Sequence, residues 1–217
     1  MDITRISKRL AEHYGESLGY TEEKKDLLRF GFEIIIGEGV KFLTLIIIAL
    51  TYGILPEMLT AIITFIPFRF VSGGAHNDTH EGCFVMTTLC FTGIAVVGSA
   101  AAGVLGQENT PLLAAAFVIS AAVITIWAPA ENKNRPVKLE NRKRLKCYSY
   151  LLLIFWAISA AAVKKLMDPT LHPGLLSGSA LALLFHSFIL SPYGFRFMRY
   201  TDNIIHGKGG IEHGHQV

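Results

Sequence analysis

The chain has 217 residues, a length that suits one domain. Hydrophobic residues make up 51% and charged residues only 17%, against roughly 25% charged in an average soluble domain, which excludes an ordinary water-soluble globule. The net charge of +3 is too small to call for a nucleic-acid partner, so the distribution of the basic residues matters more than their sum.

Residues 1–29 read as an amphipathic segment. Ile3, Ile6, Leu10 and Tyr14 recur at helical spacing with Arg5, Lys8 and Arg9 between them, and Gly15 and Gly19 divide the stretch in two. Such a helix either lies in the interface of an anionic leaflet or packs on the rest of the protein. The segment has no early apolar core of the kind that marks a cleavable signal, so insertion is expected through the chain's own spans.

Six apolar segments follow, over 39–55, 58–71, 83–105, 111–130, 147–163 and 174–190. Most reach the roughly 17–25 residues that a spanning helix needs. The second is short and carries Pro67, so a bent or partly re-entrant helix, or a local thinning of the bilayer, is expected there. Small residues crowd the third, as in "GSAAAG" at 98–103, and such residues let helices approach closely in lipid. The expected fold is all-α: a polytopic bundle over 39–192 between the amphipathic segment and a tail over 193–217. The whole of 1–217 would form one membrane-embedded unit.

Lys and Arg set the expected orientation. They gather before residue 30, in "ENKNRPVKLENRKRLK" (131–146), which holds seven of them, and at Arg196, Arg199 and Lys208. With six spans these segments share one side with residues 72–82, and the positive-inside rule makes that side cytoplasmic. Only Lys164 and Lys165 fall on the other. The basic stretch holds topology, or it attracts an acidic peptide or anionic lipid through Arg142, Lys143 and Arg144.

The chemistry concentrates in "FRFVSGGAHNDTHEGC", residues 68–83. Cys83 acts as a nucleophile only as a thiolate, and a free cysteine is mostly protonated at neutral pH. A histidine within reach takes that proton and later protonates a leaving amine. Cys83 also opens the third span, where helix N-terminal N–H groups favour negative charge. His80, three residues earlier, shares a helix face with Cys83. His76, seven earlier, sits about 10.5 Å away along a continuous helix and reaches Cys83 only if residues 77–82 fold back. Asn77, Asp78 and Gly82 favour turns, and Gly73–Gly74 permit an unusual entry. Asp78 or Glu81 could orient an imidazole, and Arg69 could hold a carboxylate or backbone carbonyls. His76, His80 and Cys83 also suit a metal, although Asn77 stands where the helical metalloprotease pattern has Glu. Cys90 and Cys147 lie in apolar runs and read as small buried hydrophobes. His186, inside the sixth span, reads as a neutral histidine bonded to a neighbouring helix.

Arg69, Gly73, Gly74, His76 and Cys83, in the order R-x-x-x-G-G-x-H-x-x-x-x-x-x-C, resemble the motif of the accessory gene regulator B family. Those proteins are bacterial membrane cysteine endopeptidases of peptide quorum sensing. The resemblance covers nearly the whole chain and includes the basic N-terminus, the short span and the basic stretch between later spans. It implies that His76 rather than His80 pairs with Cys83, and that Arg69 and Gly74 are the motif's arginine and glycine. It implies a small AgrD-like propeptide as substrate, cut through a thioester on Cys83 and closed into a thiolactone or lactone. It implies neither cofactor nor metal, and with the small-residue faces it suggests a homodimer in the lipid bilayer. The competing classes are a small-peptide transporter without peptidase activity and a metal-dependent membrane hydrolase. Polar residues gathered in one stretch, rather than along several spans, favour the enzyme.

Overall fold

The computed structural model describes residues 3–77, 79–106, 108–131, 137–167 and 172–206. Among them are eight helices: α1 (Ile3–Ser17), α2 (Glu22–Tyr52), α3 (Leu55–Ser72), α4 (His80–Leu105), α5 (Thr110–Trp127), α6 (Leu139–Leu166), α7 (His172–Leu190) and α8 (Pro192–His206). Six of them, α2 to α7, are long and apolar enough to cross a membrane.

The chain divides into two compact units, 1–47 and 48–217. In the first, α1 turns into α2 through Gly19, whose φ of 63° belongs to the left-handed region that glycine tolerates. The turn closes with Tyr20 N–H on Gly15 O at 2.8 Å. The Tyr14 and Phe32 rings meet with centroids 6.0 Å apart. The second half of the amphipathic segment is thus continuous with the first span in one 31-residue helix. That helix stops at Tyr52 because Gly53 turns left-handed at φ 67°, so the apolar run 39–55 is cut before its end.

In the second unit α3 is longer than the apolar run suggests. Its 18 residues rise about 27 Å, close to the ~30 Å hydrocarbon core, and Pro67 is accommodated inside it. The span after the basic stretch is revised too: α6 starts at Leu139 and takes in much of that stretch. Residues 132–136 of that stretch lie outside the described residues.

The helix at the centre is α7, which touches α3, α4, α5, α6 and α8. Of its spanning window 72% is buried, against at most 39% for any other span. Yet α7 is less apolar than α2 or α5. Lipid is as apolar as leucine, so the centre of a bundle goes to the helix whose small residues permit close packing. Gly178 supplies it twice: a Cβ there would lie 2.9 Å from Glu57 O on α3, and one on Gly98 of α4 would lie 3.1 Å from Gly178 Cα. Hydroxyl pairs add polar contacts, Ser120 with Ser187 at 2.7 Å and Ser72 with Ser149 at 2.9 Å. Phe68, Ala116, Ile124, Leu153, Trp156, Leu183 and Leu190 form the main core.

Past α7 the chain does not run out as a tail. Ser191 caps a new helix, its Oγ near Gly194 N at 3.4 Å, with Pro192 in the first turn. Met198 and Thr201 are the buried face of α8. Residues 207–217, with His213 and His215, lie outside the described residues.

The close approach at Gly178 gives a direct expectation. Replacing Gly178 with Leu should cost about 1–3 kcal/mol of stability by overpacking, seen as a lower midpoint for thermal unfolding in detergent. Gly93→Ala, on α4 where a Cβ meets open space, should leave that midpoint unchanged.

Candidate active site

The site is built at the end of α3. The last turn of that helix closes with Gly73 N–H on Arg69 O at 3.2 Å. The chain then leaves helical geometry at two glycines with φ of 79° and 121°, a region closed to most L residues. Space confirms the choice of residue. A Cβ on Gly73 would collide with Ala130 O, and one on Gly74 would stand 2.9 Å from Arg69 Nη1 and 3.2 Å from Ile189 O. Gly73 pairs with Ala130 as an isolated parallel bridge, Ala130 N–H donates to Ser72 O at 2.9 Å, and Ala75 N–H donates to Ile189 O at 2.8 Å. The reversal is therefore pinned to the segment after α5 and to the end of α7.

From Ala75 to Asn77 the backbone is not helical, and α4 begins only at His80 with Thr79 as its cap. Thr79 Oγ1 accepts from Gly82 N at 3.1 Å. Cys83 therefore sits one turn inside α4, with its N–H on Thr79 O at 3.0 Å. That corrects one expectation: the N–H groups of Gly82 and Cys83 are occupied and do not stand open for an oxyanion.

The reversal brings His76 to Cys83, Nε2 to Sγ, at 3.5 Å. Thr87 Oγ1 also approaches the sulfur, at 3.9 Å. The second ring nitrogen, Nδ1, donates to the Asn77 carbonyl at 2.5 Å, so a main-chain oxygen takes the position considered for Asp78 or Glu81. Asp78 and the side chain of His80 lie outside the described residues; Glu81 is exposed in the first turn of α4. The hydrogen bond to Cys83 raises the His76 pKa above the ordinary imidazole value; partial burial of the ring and the charge of half-buried Arg69 oppose the rise. The residue as a whole remains exposed.

Asn77 is buried and donates from Nδ2 to Asp202 Oδ1 at 3.0 Å and Thr201 Oγ1 at 3.1 Å on α8. Asp202 Oδ1 also accepts from Thr79 Oγ1 at 3.4 Å. From sequence, Asn77 and Gly82 read as turn formers only, and neither Thr79 nor Asp202 stands out. The threonine before "HEG" at the head of an apolar run is the available cap signal. Nothing in the sequence links it to a residue more than 120 positions away.

Other expected residues fall elsewhere. Arg142 is engaged with Glu131, while Lys143 and Arg144 stand exposed on α6. Lys164 reaches Thr110 Oγ1 at 2.5 Å at the opposite end of the bundle. His186 is buried beneath the reversal against the rings of Phe65 and Phe68, and its Nε2 meets no hydrogen-bond partner among the described residues. Cys90 is half-buried, but Cys147 is exposed on α6 rather than packed in a core. An apolar run in a membrane span has an outward face as apolar as its inner one, which is why burial could not be read from it. Among the described residues no group of three His, Cys, Asp or Glu side chains could hold a metal ion.

The class defined by these features is an all-α multi-pass membrane protein with a cysteine and a histidine joined at one end of the bundle. Residues 5–190 match the sequence model of the family described as Accessory gene regulator B. A protein of Halalkalibacterium halodurans described as AgrB-like is 26% identical over 96% of both chains. An AgrB-like protein 2 of Clostridium perfringens is 27% identical over 65% of this chain and 67% of its own. The Accessory gene regulator protein B of a Staphylococcus aureus strain is 23% identical over 77% and 83%. No solved structure matches. The chain belongs to the accessory gene regulator B family. Its role therefore lies in the processing of a quorum-sensing peptide of the accessory gene regulator type.

The raised His76 pKa has a testable origin. Cys83→Ala removes its first cause, so the His76 pKa should fall in that variant, as read by NMR titration of labelled histidine. The sign for stability follows. Stability contributed by protonated His76 is fully present below about 6.5 and lost as pH rises through the higher folded-state value. The advantage of the native chain over Cys83→Ala should therefore shrink as the solution turns alkaline.

Proposed function

We propose that the protein is a membrane cysteine endopeptidase that cuts a small propeptide and closes part of it into a ring. The single observation that carries this reading is the 3.5 Å approach of His76 Nε2 to Cys83 Sγ across a glycine-built reversal. Cys83 gives its proton to His76 Nε2, and the thiolate attacks one peptide carbonyl carbon. The C–N bond of the tetrahedral adduct breaks, and the leaving amine takes the proton from His76. The product is an acyl thioester on Cys83. A thiol or hydroxyl inside the same peptide attacks that thioester, gives its proton to His76, and leaves as a thiolactone or lactone. Cys83 returns as a thiol. One thioester replaces another when a thiol attacks, so the closure needs no nucleotide and no cofactor. Water is the competing nucleophile, and a site at the membrane face limits it.

Arg69 is assigned to support. Its carbonyl ends α3, and its guanidinium lies against Gly74, where it holds the reversal or a substrate carboxylate. A cytoplasmic side for the site and both termini is supported by the basic stretches before residue 30 and around Arg142, Lys143 and Arg144. A reducing compartment keeps Cys83 free for catalysis.

The test uses the purified protein in lipid vesicles with a propeptide that has an amphipathic start, a central Cys or Ser and an acidic end. Mass spectrometry should find the released C-terminal fragment and a ring lighter by one water than the hydrolysed peptide. Cys83→Ala should give neither. His76→Ala should slow release by at least about 10²-fold while inserting normally. Unchanged processing by Cys83→Ala would remove the assignment.

A further inference from the structure

The His76–Cys83 approach needs more than a permissive backbone. Residues 75–77 and Thr79 lie outside the helices, and a segment free to move would spend much of its time with the imidazole elsewhere. What fixes it comes from α8, which begins two residues beyond the last one matched to the family. Asp202 Oδ1 accepts from Asn77 Nδ2 at 3.0 Å and from Thr79 Oγ1 at 3.4 Å. Those two residues bracket the end of the reversal: Asn77 supplies the carbonyl that receives His76 Nδ1–H, and Thr79 caps the helix that carries Cys83. Gly82, on the first turn of α4, leaves room for the same oxygen, since a Cβ there would lie 2.6 Å from it. One carboxylate oxygen is thus shared between the histidine side and the cysteine side of the pair.

We propose that Asp202 is a positioning residue for the His76–Cys83 pair, holding Asn77 and Thr79 in one register so that the imidazole faces the sulfur. The inference rests on the peptidase reading given above and adds α8 to the machinery. Burial of Asn77 strengthens the hold, because an amide released from its acceptors there would be left without water. Asp202 bears on the pair through its bonds to Asn77 and Thr79. It acts through its acceptor oxygen, and an asparagine, which keeps an oxygen at that position, should largely replace it.

The experiment compares native protein, Asp202→Ala and Asp202→Asn in vesicles with two readouts. The first is propeptide cleavage: Asp202→Ala should lower kcat about 10- to 100-fold with KM unchanged, and Asp202→Asn should recover kcat to within about 10-fold of native. The second needs no substrate. Iodoacetamide labelling near neutral pH, resolved by site in a mass spectrometer, should slow at Cys83 in Asp202→Ala and leave Cys147 and Cys90 unchanged. General loosening would instead speed Cys90, half-buried on the same helix, and would overturn the proposal. So would native kcat with native Cys83 labelling in Asp202→Ala, or an Asp202→Asn as damaged as the alanine. If Asp202→Ala does not insert, Asn77→Ala breaks the same bond from the loop side and is judged by the same outcomes. A native protein that cleaves no propeptide would count against the peptidase reading alone, because the labelling comparison still decides the positioning.

Discussion

Between Ser72 and Ala75 the main chain gives up helical bonding and takes its partners from two other elements, the segment after α5 and the end of α7. The constraint behind this is general. Near lipid, a backbone polar group without a partner costs several kcal/mol, so a helix can stop and reverse at the membrane face only where other chain ends receive its freed groups. Ser72 O receives Ala130 N–H, and Ile189 O receives Ala75 N–H. Both acceptances require the chain to pass so close that no side chain fits at Gly73 or Gly74. The motif glycines are therefore the means by which Ser72 O and Ala75 N–H find partners where α3 ends, and the turned-back path of His76 is the consequence.

That arrangement requires α5 and α7 to end at the same level as α3, which the packing of α7 secures. Its small residues let α3 and α4 close on it around Gly178, and its last residues, Ile189 and Leu190, are buried beneath the reversal. His186 lies one turn below, between Phe65 and Phe68. A central helix in lipid is chosen by closeness of approach more than by apolarity. The least exposed span is accordingly one rich in Gly, Ala and Ser, while many longer aliphatic residues of α2 and α5, such as Ile47, Leu50, Val118 and Ile126, are exposed.

The spans are legible in the sequence because length and apolarity are nearly sufficient to specify a crossing helix. Their ends are less so. The apolar run through Tyr52 and Leu55 conceals a break that depends on one positive φ at Gly53, and the basic stretch before Cys147 is largely the opening of α6. At the site, helical spacing points weakly to His80, and α4 does begin at that residue, whose side chain lies outside the described residues; the cap at Thr79 keeps His76 off the helix, which is why spacing alone places His76 out of reach. The motif's resemblance carries the pairing of His76 with Cys83, whereas the residues between them only permit it. Asp202 has no sequence signal at all. Its meaning comes from contacts with Asn77 and Thr79, which chain separation hides and only the packing of α8 discloses.

A carbonyl rather than a carboxylate at His76 Nδ1 bears on the proposed chemistry. A hydroxyl nucleophile loses its proton so reluctantly that its histidine gains from a buried acid that stabilises the imidazolium. A free thiol and a free imidazole differ by only about 2 units in pKa, or roughly 2.7 kcal/mol. Hydrogen bonding between the pair itself covers part of that gap, as the raised His76 pKa indicates. What remains for a third group is to fix the tautomer: Nδ1 must carry hydrogen so that Nε2 can accept from sulfur. The Asn77 carbonyl can do this only while its own position is fixed. A weak acceptor that is held rigidly can thus replace a strong one, and the demand on the structure shifts from charge beside the imidazole to the bonds that immobilise Asn77.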